Sequence, residues 1–124
     1  MSVVRFLGDE HIPPSLMHAL RTREPAIDFS LVGKGSAPPK GTPDSQLLLI
    51  AEAAGQALVT MDKSTMIPHI VQHTAAGHQT GGVFILEQGF TTVKYVDDLF
   101  LVWVASEAED WRNRVEYLPW PKPP

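Results

Sequence analysis

Three short, almost unbroken apolar runs, "VVRFL" (3–7), "ALVTM" (57–61) and "GVFIL" (82–86), constrain this chain more than any other feature. Runs of this length without alternation suit β-strands covered on both faces, the burial found in parallel sheets flanked by helices. Two further runs alternate. "IDFSLV" (27–32) puts Ile27, Phe29 and Leu31 on one side, as a more exposed strand would. "RVEYLP" (114–119) ends in proline, which suits a sheet edge.

Helical patterns fill the intervals. Pro13 and Pro14 can only open a helix, whose apolar face is Leu16, Met17 and Leu20. Over 42–55, Thr42 is the expected N-cap, Pro43 the first helical residue and Gly55 the C-terminal cap. Leu47, Ile50, Ala51 and Ala54 are its expected buried stripe. Residues 64–76 form a weaker helix containing Pro68, and 92–110 a strong one, with Val93, Val96, Phe100 and Trp103 at helical spacing. Strand–helix alternation at this spacing implies βαβ units, right-handed crossovers and helices on both faces of the sheet. The expected fold class is therefore α/β: a compact three-layer α/β/α sandwich with a central, mostly parallel sheet. A single domain spans 1–118, and the proline-rich tail 119–124 is expected to trail off.

Composition narrows the functional classes. With 124 residues and 44% hydrophobic content, the chain can bury one core without staples. It has no cysteine, which removes disulfides and thiolate chemistry. The opening "MSVVRFLGDEH" lacks the layout of a signal peptide, and the longest apolar run, "LFLVWVA" (99–105), falls well short of the ~20 residues of a membrane span. A cytoplasmic protein with no membrane partner is expected. The net charge of −4 argues against a broad basic face for nucleic acid. Residues 1–63 carry six Lys/Arg against seven acids and 64–124 four against seven, so a few N-terminal acids neutralised by a metal would leave that half net positive.

The acids stand where a parallel sheet gathers its ligands, beyond the carboxyl ends of the strands. Asp9 and Glu10 directly follow the first apolar run, Asp62 follows "ALVTM", and Asp44 opens the 42–55 helix on the side of Leu47, Leu48 and Ala51. Like charges held together in a partly buried site repel and raise one another's pKa, and a divalent cation relieves this. Oxygen ligands without cysteine favour Mg²⁺ or Mn²⁺, whose bound water can attack a phosphodiester. The plainer roles are also open: Asp44 as a first-turn acid complementing a helix dipole, and Asp9, Glu10 and Asp62 as helix caps.

"RFLGDEHIPPSLMHAL", "PDSQLLLIAEAAGQALVTMDKSTM" and "GVFIL" together resemble the bacterial PIN-like family catalogued as DUF5615, related to the PIN-domain nucleases of VapC-type toxins and to Mut7-C domains. The shared features are a strand followed by D-E-N-x-P, an acid opening the second helix and a strand ending T-x-D. They fall on Asp9, Glu10, Pro13, Asp44, Thr60 and Asp62 and cover residues 5–87. The resemblance implies an RNA-cleaving enzyme dependent on Mg²⁺ or Mn²⁺, often the toxin partner of an antitoxin protein. On that reading Asp9, Asp44 and Asp62 ligate the metal, and Glu10 is an outer ligand or positions the attacking water. Lys34, Lys40 and Lys63 meet RNA phosphates, with His11, Thr60 and Ser64 beside them. His11 replaces the family's usual Asn, and Ser64 stands where many relatives repeat an acid. These departures favour an alternative: a binding module that keeps the fold without the nuclease chemistry.

Other patterns carry less. His69 and His73 have the i, i+4 spacing of two metal ligands, but Ile70 stands where the zincin pattern requires Glu. With no evident acid to complete a site, His69, His73 and His78 read as surface histidines. His11, beside the acids, is suited to a phosphate contact or proton transfer. The loop "GKGSAPPKG" (33–41) matches no phosphate-binding fingerprint and reads as a long connection or a lysine-bearing lid. Trp103 and Val104 read as core or as a homodimer face, while Trp111 and Trp120 are placed to cover apolar surface. A receiver-like signalling domain also uses an acid pair after its first strand, but needs a Thr after a later strand that "GVFILEQG" lacks.

Overall fold

A computed structural model describes residues 2–121. In chain order the elements are β1 (Phe6–Gly8), α1 (Pro14–Arg23), β2 (Phe29–Leu31), α2 (Asp44–Ala54), β3 (Ala57–Thr60), α3 (Lys63–Ala75), β4 (Val83–Leu86), α4 (Thr92–Ala105), a 3₁₀ turn (Ala108–Trp111) and β5 (Val115–Leu118). The five strands form one sheet in the order β2-β1-β3-β4-β5, and every neighbouring pair is parallel. The expected α/β sandwich is the observed fold.

The continuous apolar runs are the central strands for the reason their pattern gives. All of β1, β3 and β4 is buried, because helices cover both faces. Phe6, Phe29, Val59, Phe84 and Leu86 face α1 and α4, while Leu7, Leu58, Val83 and Ile85 face α2 and α3. Phe6 stands between Phe29 and Phe84, with ring centroids 5.9 and 6.2 Å away. Each such buried side chain contributes about 1.5–3 kcal/mol.

The crossovers depart from expectation at one point. β1–α1–β2 runs toward one edge on the α1/α4 face, and the α2 and α3 crossovers run the other way on the opposite face. These three share one hand, right-handed by the near-universal rule. β4–α4–β5 runs toward the β5 edge but on the α1 face, so its hand is reversed. Burial explains the exception. On the usual face α4 would leave Val59, Phe84 and Leu86 bare beside α1; instead Tyr95, Val96, Leu99 and Val102 cover them.

Two further expectations change here. The proline-rich tail does not leave the body at 119: Trp120 stacks on Trp111 with centroids 6.1 Å apart, and its N–H donates to Asp98 at 2.8 Å. Residues 122–124 of that tail lie outside the described residues. Val104 is not core but 56% exposed, with Val93 and Leu101 also exposed on α4, and Trp103 is only partly buried beside Phe100.

Candidate functional site

In the order 2-1-3-4-5 the chain leaves β1 toward one edge and returns to its other side as β3, so the two central carboxyl ends flank the topological switch point. Gly8 closes β1 without a side chain because a Cβ there would sit 2.8 Å from the Phe29 ring. Asp9 continues the pairing, its N–H donating to Val59 at 3.0 Å. Its side chain is thereby turned into the rim, where it is 3% exposed.

The Asp9 carboxylate is held at both oxygens. Oδ1 accepts from the His11 N–H at 3.0 Å and Oδ2 from the Thr60 hydroxyl. The same Thr60 oxygen accepts the Asp62 N–H at 3.1 Å, so one fully buried hydroxyl ties the acid of β1 to the acid after β3. Burial pushes the Asp9 carboxyl above its ordinary pKa, a rise that the Thr60 and His11 hydrogen bonds partly offset and the nearby Asp44 charge reinforces. Asp62 moves the other way. The Ser64 hydroxyl at 2.9 Å, then the Thr65 N–H at 3.3 Å, stabilise its ionised form, with the His11 charge a smaller contribution. Asp62 is thus the N-cap of α3, the plainer of the two roles its position allows.

The remaining predicted residues fall into two groups. Glu10 is exposed on the rim and accepts the Gly41 N–H at 3.2 Å, fastening the 33–41 loop beside the acids. Asp44 is half-buried in the first turn of α2 and close enough to act on Asp9. His11 and Asp62 line a depression of about 310 Å³ with Met61 and Gln88, and Lys63 and Ser64 line an adjoining one with Glu87. Gln88 was not anticipated, because only the end of β4 brings it to this rim. Lys34 lies elsewhere, in a groove with Met17 and Arg21, and the Lys40 side chain packs back over Gly33.

Asp9, Asp44 and Asp62 do not form a tight ligand cage. Among the described residues, the set of three acids or histidines whose ligand atoms all lie within 4.8 Å is Glu52, His73 and His78.

The histidines correct the sequence reading. His73 is 7% exposed rather than on the surface, and its partners are Glu52 and His78, not His69. Glu52 Oε1 lies 2.9 Å from His78 Nδ1 and 3.6 Å from His73 Nε2. The acid said to be lacking comes from α2. This group can hold a metal ion. No signal along the chain joins Glu52 to histidines twenty-one and more positions away; the packing of α2 on α3 brings them together.

The structure is a parallel α/β sandwich with acidic residues at the switch point of its sheet. Comparison of the chain with family models, curated proteins and solved structures finds no match.

Proposed function

We propose that the carboxyl rim is the active centre of a PIN-like, Mg²⁺- or Mn²⁺-dependent endoribonuclease. The carrying observation is Asp9: a carboxylate 3% exposed, gripped by Thr60 and His11, with the like charge of Asp44 acting on it. Burial and the like charge both disfavour the ionised form of this acid, and a bound cation relieves both. When bound, the ion would supply a water of lowered pKa and charge stabilisation at a phosphate oxygen. Asp9 would hold it, with Asp44, whose charge acts on Asp9, and Asp62, tied to Asp9 through Thr60, as further rim carboxylates. Thr60 fixes the Asp9 carboxylate, and His11, exposed and within the field of both Asp9 and Asp62, meets the phosphate or passes a proton. Lys63 opens α3 at the rim as a phosphate contact. Lys34 and Lys40 belong to the tethered loop and meet more distant parts of an RNA strand. A toxin role with an antitoxin partner rests on the family resemblance alone.

One observation favours the second reading, a PIN-like binding module without nuclease chemistry: Asp62 is already engaged by Ser64 and Thr65 as a helix cap. Single-stranded RNA cleavage in Mn²⁺ separates the two. Asp9→Asn is expected to slow cleavage by about 10²–10³-fold, the usual effect of removing one charge-organising group. Equal rates in wild type and variant would remove the enzymatic assignment. A wild type that neither cleaves RNA nor binds Mn²⁺ by calorimetry would establish the binding module.

A further inference from the structure

At the amino end of the sheet, remote from the acidic rim, Glu52, His73 and His78 converge from three separate segments. We propose that they form a binding site for a single zinc-class divalent ion, with one coordination position open toward the adjoining cavity. The site is independent of the ribonuclease reading.

Donor chemistry comes first. Two imidazole nitrogens and one carboxylate oxygen are a borderline set that selects Zn²⁺ and its neighbours over Mg²⁺ or Ca²⁺. Spacing agrees. With metal–ligand bonds of about 2.0–2.1 Å, tetrahedral ligand atoms stand about 3.3–3.4 Å apart. The Glu52–His78 and Glu52–His73 separations, 2.9 and 3.6 Å, bracket that value. All ligand atoms already lie within 4.8 Å of one another.

The surroundings orient the ligands as a metal requires. The Gln79 N–H donates to Glu52 Oε2 at 2.8 Å, which leaves Oε1 turned to the histidines. The two imidazoles stack at 4.8 Å with 24° between their planes, and His73 is locked by burial in the last turn of α3. His73 Nε2 lies 3.0 Å from the Gln79 carbonyl; ion binding exchanges that hydrogen bond for a metal–nitrogen bond, the ring then carrying its proton on Nδ1. Glu52 and Gln79 also line a cavity of about 490 Å³ with Arg5, Thr80, Glu109 and Arg112, which gives a solvent molecule room in the fourth position. Because Glu52 belongs to α2, His73 to α3 and His78 to the connection into β4, an ion here would pin that connection to the helical layer.

The test uses the untagged full chain, stripped with EDTA, titrated with Zn²⁺ by calorimetry and followed by thermal melting. One Zn²⁺ per chain and a raised melting temperature are expected for wild type, unaffected by excess Mg²⁺. His78→Ala, at an exposed position, and Glu52→Gln, which keeps the side-chain shape, should each weaken binding about tenfold or more. Asp97→Asn, an exposed acid on α4 outside both metal readings, should bind as wild type does. No Zn²⁺ binding by wild type overturns the proposal. So does unchanged affinity in both site variants, or loss of binding in Asp97→Asn.

Discussion

Asp9 illustrates how much of a residue's behaviour comes from its surroundings. Its position after an apolar run is visible in the sequence. Its burial, and its grip on the Thr60 hydroxyl, depend on the register that sets Gly8 opposite Val59. Burial raises its folded-state pKa above 3.8, so its favourable contribution is complete below pH 3.8 and is lost as pH rises through the raised value. In EDTA, Asp9→Asn should therefore melt above wild type at pH 7, and the gap should shrink as pH falls through the raised value and be closed below 3.8. Melting curves from pH 3 to 8 check this; a gap independent of pH would assign the effect to packing instead. Millimolar Mn²⁺ should stabilise wild type and leave the variant unmoved. His73 shows the opposite failure of local reading. A polar residue amid polar neighbours looked exposed, yet the helix face toward α2 buries it.

Element boundaries follow local chemistry wherever the backbone alone decides them. Gly55 ends α2 in the left-handed region, φ 67°, with its N–H on the Ala51 and Glu52 carbonyls, as expected of a glycine cap. Gly55→Ala should cost about 1 kcal/mol, measured by urea denaturation, because a Cβ is strained at that φ. Gly55→Asn should cost less. Thr42 does not cap α2. Pro43 occupies that position, and the Thr42 hydroxyl donates instead to the Pro39 carbonyl at 2.6 Å. The helix expected over 92–110 stops at Ala105, since Ser106 takes the indole N–H of Trp111 at 2.7 Å and Glu107 with Asp110 starts a separate 3₁₀ turn. Helical periodicity runs straight through that break, because Trp111 is buried on the same face of the sheet.

At the scale of the whole molecule, the last βαβ unit carries the most consequence. Its reversed hand places α4 beside α1, where Arg23 pairs with Asp97 at 2.6 Å and lies over the Phe100 ring. The exposed ion pair is worth little; the apolar contact beneath it holds the layer. Trp120 seals the far end of this layer against Trp111. Trp120→Ala should destabilise the protein by about 1–2 kcal/mol, less than a fully buried Trp because the residue is only half-buried. Chemical denaturation would measure this, and an unchanged midpoint would show that the tail contributes nothing to the core.

The sequence by itself determined the five strands, the four helices, the parallel sandwich and the acids at strand ends, since all of these follow from apolar periodicity, glycine and proline chemistry and the polarity of a βαβ unit. Only the tertiary structure decided the hand of the last crossover, the groove that Lys34 lines with Met17 and Arg21 and the meeting of Glu52 with His73 and His78. Each of those depends on which helix packs beside which, and packing partners are chosen by surface burial across distant segments rather than by any pattern along one.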